Sequence, residues 1–120
     1  APGTNPLPRE MYPRIMILLL RETVDRTRRY LEEQKVPVPL PRLEPTKYEH
    51  LGLSVLATDE EIDRRYGELS RQSHPNGGLG EISAAYAALR ENRRAYEQRL
   101  WREALSTLKA MQEIREKYRC

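Results

Sequence analysis

Between Pro13 and Lys35 the apolar positions keep a helical rhythm. Met16, Leu20, Val24, Thr27 and Leu31 fall on one stripe, with no Gly or further Pro to interrupt it. Ile15, Leu18 and Leu19 widen the stripe at its start, while Arg26, Arg28, Arg29, Glu32 and Glu33 make its far end polar. The pattern predicts a helix over 13–35, with Pro13 in the first turn, where its missing N–H is not needed. Ahead of it, Pro2, Gly3, Pro6 and Pro8 block helix, so residues 1–12 are expected to form an extended arm. Behind it, Val36-Pro-Val-Pro-Leu-Pro and then Pro45 favour polyproline II, and 36–47 reads as a semi-rigid linker.

A second group of helical patterns starts at Tyr48. Tyr48 to Leu53 reads as a short helix ended by Gly52. Thr58 and Glu61 have capping-box spacing and open a helix with Ile62, Tyr66 and Leu69 on one face. That helix is expected to run to Ser73-His74, because Pro75 disfavours helix at the residue before it. Asn76-Gly77-Gly78 reads as a loop. A further helix is expected from near Glu81, with Ile82, Ala85, Tyr86 and Leu89 on one face. No Gly or Pro occurs from 81 to 120, so the pattern through Tyr96, Leu100, Leu105, Leu108 and Met111 fits one long helix, or two with a kink, to about Lys117. Nothing reads as a strand, and the expected fold class is all-α.

Composition narrows the function. A chain of 120 residues holds one small domain with extensions. The single cysteine, Cys120, excludes an internal disulfide framework and a thiolate metal cluster. The longest apolar run, Ile15 to Leu20, is too short to cross a bilayer. Basic residues exceed acids by three, but the excess lies at the two ends, and 48–100 is slightly acidic. A nucleic-acid module concentrates positive charge on one element, so no nucleic-acid partner is expected. His50 and His74 are the only histidines and have no carboxylates at ligand spacing, so no metal is expected. Ser73 beside His74 lacks an orienting acid, and the glycines at 77, 78 and 80 lack the strand and Lys-Ser/Thr of a phosphate loop. No catalytic residue, cofactor or enzymatic activity is expected.

Residues 48–97 resemble a J-domain, the helical module of DnaJ-type co-chaperones. The resemblance rests on Tyr48-x-x-Leu51-Gly52-Leu53, Glu61-Ile62 with Tyr66 and Leu69, His74-Pro75 beyond them, Ala85-Tyr86-x-x-Leu89 and Arg94-Ala95-Tyr96-Glu97. It implies a J-like helical hairpin whose core is Tyr48, Leu51, Ile62, Tyr66, Leu69, Ile82, Tyr86 and Leu89. In the family, a His-Pro-Asp tripeptide in the loop stimulates ATP hydrolysis by a DnaK-type partner. Here that place holds His74, Pro75 and Asn76. Asn keeps the shape but loses the charge, and a charge-assisted hydrogen bond is about twice as strong as a neutral one. The family's basic positions around the helix Tyr and Leu hold Gly67 and Glu68. A small Ala before the Tyr is replaced by Arg65, and Gly67 inside the helix costs about 1 kcal/mol relative to Ala. Over 59–73 there are five acids and three bases, where the family's face is positive.

The expectation is therefore a non-catalytic, J-like accessory or scaffold subunit of a larger protein complex, respiratory-chain or import. It would act through protein–protein contacts at 13–35, at a C-terminal helical extension over 98–120, and through the J-like block at 48–97. Leu18, Leu19 and Trp101 are the candidate partner-binding residues, Trp being enriched at binding hot spots. The Ile15–Leu20 patch also suits a place at a membrane surface. A basic, Arg-rich small chain opening on Ala1 fits a processed organellar polypeptide, so a mitochondrial location is expected, although Met removal before Ala would give the same start. The alternative is a DnaK-type chaperone's co-chaperone, or a regulator of an active J-protein, contacting the chaperone through Arg64 and Arg71.

Overall fold

The computed structural model describes residues 8–72 and 78–119. Among them every regular element is helical: a 3-10 turn at Arg9–Met11, then α1 (Tyr12–Glu33), α2 (Lys47–His50), α3 (Asp59–Ser70), α4 (Gly78–Arg90) and α5 (Arg93–Tyr118). The all-α expectation holds for these residues. The backbone divides into two compact units, one of 1–44 with 99–120 and one of 45–98, so α5 contributes its first residues to the second and the rest to the first.

In the first unit the helix starts earlier than expected. Arg9–Met11 already turn, which shortens the arm expected over 1–12; residues 1–7 lie outside the described set. Pro13 does sit in the first turn of α1. The helix stops in a Schellman motif: the Val36 N–H donates to the Leu31 carbonyl at 2.9 Å and that of Lys35 to Glu32 at 3.0 Å. Lys35 takes the left-handed conformation, φ 58°, that this motif requires. The segment from 36 to 46 then runs without regular hydrogen bonding, as its prolines predict.

The buried stripe of α1 is Arg14, Ile17, Leu20, Val24, Thr27 and Leu31. Ile17, 1% exposed, takes the place that the sequence pattern assigns to Met16, which is only half-buried. The reason is periodicity: from Ile17 on, spacings of three and four alternate, the heptad beat of a helix packed along another. In the same unit α5 buries Leu100, Ala104, Thr107 and Met111 with the same beat. Each stripe therefore has a matching apolar surface within its own unit.

The second unit is built on two capping boxes. Thr46 and Glu49 close the first turn of α2, and Thr58 and Glu61 that of α3 as expected. α2 ends where Gly52 adopts φ +72°, a conformation a Cβ would strain. Arg65 takes advantage of the bare glycine: its Nε donates to the Leu51 carbonyl at 3.0 Å, and a Cβ on Gly52 would meet its Nη2 at 3.3 Å. The guanidinium where a small Ala is usual in J-domains thus fastens α3 to the end of α2.

α3 ends at Ser70, short of the expected Ser73, and α4 begins at Gly78, ahead of the expected Glu81. The early stop is local. Arg71 donates from Nε to the Gly67 carbonyl at 2.9 Å, and the Gln72 N–H reaches Leu69 in a tightened last turn. Of the two readings of 81–120, the interrupted one is realised. Glu91 and Asn92 turn back onto the Ala87 carbonyl, and Asn92 accepts from the Tyr96 N–H to open α5.

Candidate functional site

α3 and α4 run antiparallel, since their partners count down as α3 counts up. Asp59 meets Arg90 at 2.9 Å, Asp63 meets Arg90 at 3.0 Å and Tyr86 at 2.7 Å, and Tyr66 lies 3.3 Å from Ser83. The Tyr66 and Tyr86 rings stack with centroids 4.0 Å apart. α2 also packs on α4. Beneath this polar ladder lies an apolar core of Tyr48, Leu51, Val55, Ala57, Ile62, Leu69, Ala85 and Leu89, all buried. Of the eight core residues the resemblance implies, five are buried, while Tyr66, Ile82 and Tyr86 are half-buried. For the two tyrosines the reason is chemical. Their hydroxyls have polar partners at the rim of the helix pair, which leaves the rings stacked at its edge.

Tyr48 is the deepest of these groups. Its hydroxyl donates to Glu97 Oε1 at 2.7 Å, and its ring lies 6.4 Å from that of Tyr96. The Lys47 N–H donates to the Tyr96 hydroxyl at 2.8 Å. Two α2 groups thus hold the first turns of α5.

The ladder is a charge clasp. Arg90 spans Asp59 and Asp63, one helical turn apart, and Arg93 also binds Asp59. The Arg93 hydrogen bond, aided by the positive charges of Arg93 and Arg90, holds the Asp59 carboxyl below its ordinary range. The bond to Asp63 pushes the Tyr86 hydroxyl up, and the bond to Tyr86 does the same to Arg90. Nothing along the chain marks these partners, because a cross-helix pair depends on register. The sign for Asp59 is that of a depressed carboxylate. Its contribution is complete above the unfolded value and is lost as pH falls through the folded one. The stability gap between wild type and Asp59→Asn should therefore narrow as pH drops below about 4. Thermal unfolding followed by circular dichroism over an acid series measures it.

The proposed chaperone-facing residues are placed in part. His74, Pro75 and Asn76 lie outside the described residues. Arg64 is exposed on α3. Arg71, also exposed, folds back on the Gly67 carbonyl. Arg65 pairs with Glu68 at 3.2 Å besides holding Leu51. His50 is exposed on α2. Among the described residues no group of three or more His, Cys, Asp or Glu could hold a metal ion, and no helix is long and apolar enough to cross a membrane.

In the first unit, Leu18, Leu19 and Trp101 are all exposed, together with Tyr12, Tyr30 and Leu105. Arg21 Nη2 donates to the Glu44 carbonyl at 3.2 Å. Burial, with Glu44 nearby, raises the Glu103 carboxyl against the opposing pull of Arg21 and Arg99. The end of the Pro-rich segment, α1 and α5 therefore meet at this point.

Compared with known protein families, with curated proteins and with solved structures, the chain matches none. The reading of its function rests on its own residues.

Proposed function

We propose that the chain is a non-catalytic J-like accessory subunit of a larger protein assembly, mitochondrial in setting. The observation that carries the reading is the use made of the basic residues of the second unit. Arg65 is tied to Leu51 and Glu68, Arg71 to Gly67, and Arg90 and Arg93 to Asp59 and Asp63. Of the guanidiniums on α3, Arg64 stands exposed amid Glu60, Glu61 and Glu68. Steering toward an acidic chaperone surface needs a net positive face, and a face of the opposite balance slows that encounter. The neutral Asn76 in the resembled tripeptide supports the same reading. Exposed apolar side chains on α1 and α5 supply the means of docking to other subunits.

The test is single-turnover ATP hydrolysis by a mitochondrial DnaK-type chaperone. Wild type is expected to leave the rate at its basal value, and His74→Gln to change nothing. Stimulation by wild type that His74→Gln abolishes would replace this reading with that of a working co-chaperone.

A further inference from the structure

α5 carries a second heptad stripe one residue on from its buried one. Trp101, Leu105, Leu108 and Gln112 each follow a buried residue, and Trp101 and Leu105 stand 40% and 46% exposed. α1 carries the counterpart one residue back. Met16, Leu19, Thr23, Arg26 and Tyr30 each precede a residue of its buried stripe, and Leu19 is 54% exposed.

The flank on which each stripe lies follows from the Glu44 junction. Arg21 comes one residue after buried Leu20, and Glu103 one residue before buried Ala104. Arg21 bonds the Glu44 carbonyl, and Glu103 lies within electrostatic reach of Glu44 and Arg21. The later flank of α1 and the earlier flank of α5 therefore share the side that Glu44 crosses. The second stripes lie on the earlier flank of α1 and the later flank of α5. They border one groove, on the opposite side.

We propose that this groove receives one amphipathic helix of a partner protein, its apolar heptad stripe flanked by acidic residues that face Arg102 and Lys109. This deepens the accessory-subunit reading and rests on it for the partner being a protein. The occupant is a helix because both lips alternate spacings of three and four, the beat at which side chains of a third helix interdigitate. It is acidic because Arg102 and Lys109, both exposed, stand one heptad apart along the outer edge of the α5 lip. The outer edge of the α1 lip carries Glu22 and Asp25, paired with Arg26 and Arg28. Anionic lipid headgroups would meet those carboxylates, which disfavours a membrane. A second copy would bring its own Arg102 and Lys109 to the same edge, which disfavours self-association.

Trp101 is the chain's single tryptophan and reports on the groove directly. The full chain would be titrated with a synthetic three-heptad peptide bearing Leu at its a and d positions and Glu beside them. A twin peptide would carry Lys in place of Glu. The acidic peptide is expected to shift Trp101 emission to the blue, saturably, and to bind about ten-fold more tightly than its twin. Leu105→Glu should weaken it about ten-fold, the scale of losing one buried anchor. The double variant Arg102→Glu, Lys109→Glu should reverse the preference, with the helical circular dichroism of both variants unchanged. The proposal is overturned if neither peptide moves the emission. It is equally overturned if vesicles of phosphatidylserine and phosphatidylcholine, or concentration of the protein alone, give the shift in place of the acidic peptide. Chaperone stimulation would remove the accessory-subunit reading and leave this titration as it stands, so the two failures are distinguishable.

Discussion

Tyr48→Ala is expected to cost the 45–98 unit about 3–5 kcal/mol, the range for deleting a buried aromatic ring. Tyr48 has no exposed surface, so its removal leaves a cavity where α2 packs on α4. The ring also faces Tyr96, and the hydroxyl binds Glu97 at 2.7 Å. Small domains have total stabilities of about 5–15 kcal/mol, so the loss is a large share of what is available. Tyr48→Phe separates the two contributions. It keeps the ring and removes one donor from Glu97, and should cost about 1–3 kcal/mol. Urea unfolding followed by circular dichroism reads both as shifts of midpoint at constant slope. A shift for Tyr48→Ala no larger than that for Tyr48→Phe would mean that the hydroxyl bond, not the ring, holds α2 in place.

Much of this unit was legible in the chain because its signals are local. Thr58 three residues before Glu61 announces its own helix start, and Gly52 its own stop. The end of α3 was less so. Pro75 pointed to a limit near Ser73, while the Arg71 side chain and the Gln72 turn close the helix earlier. Arg65 reads in sequence as a bulky replacement, and only the fold shows its guanidinium on the Leu51 carbonyl above a glycine with room for it. The Asp59–Arg90–Asp63 clasp had no signal at all, since it joins residues whose proximity is created by helix pairing. The candidate interaction residues divide in the same way. Exposure of Leu18, Leu19 and Trp101 agrees with their being anchors, but the second heptad stripe emerges only once the buried one is known.

That dependence makes the register of α1 worth testing, and Ile17→Ala against Met16→Ala does so. Sequence spacing puts Met16 on the stripe, and the structure puts Ile17 there at 1% exposure. Deleting a buried Ile side chain costs about 2–5 kcal/mol, and removing a half-buried Met should cost clearly less. Ile17→Ala is therefore expected to move the unfolding midpoint of the unit formed by 1–44 and 99–120 by more than Met16→Ala does. Trp101 lies in that unit and gives the readout by fluorescence. The contrast also bears on the groove. If Met16→Ala were the costlier change, the buried stripe of α1 would be rotated by one residue at this end. Leu19 would then turn toward the core, and the α1 lip would lose the residue that most clearly offers itself to a partner helix. If Ile17→Ala is the costlier, the core takes Ile17 and Leu20, and Leu19 stays outside it because the two stripes cannot face the same way.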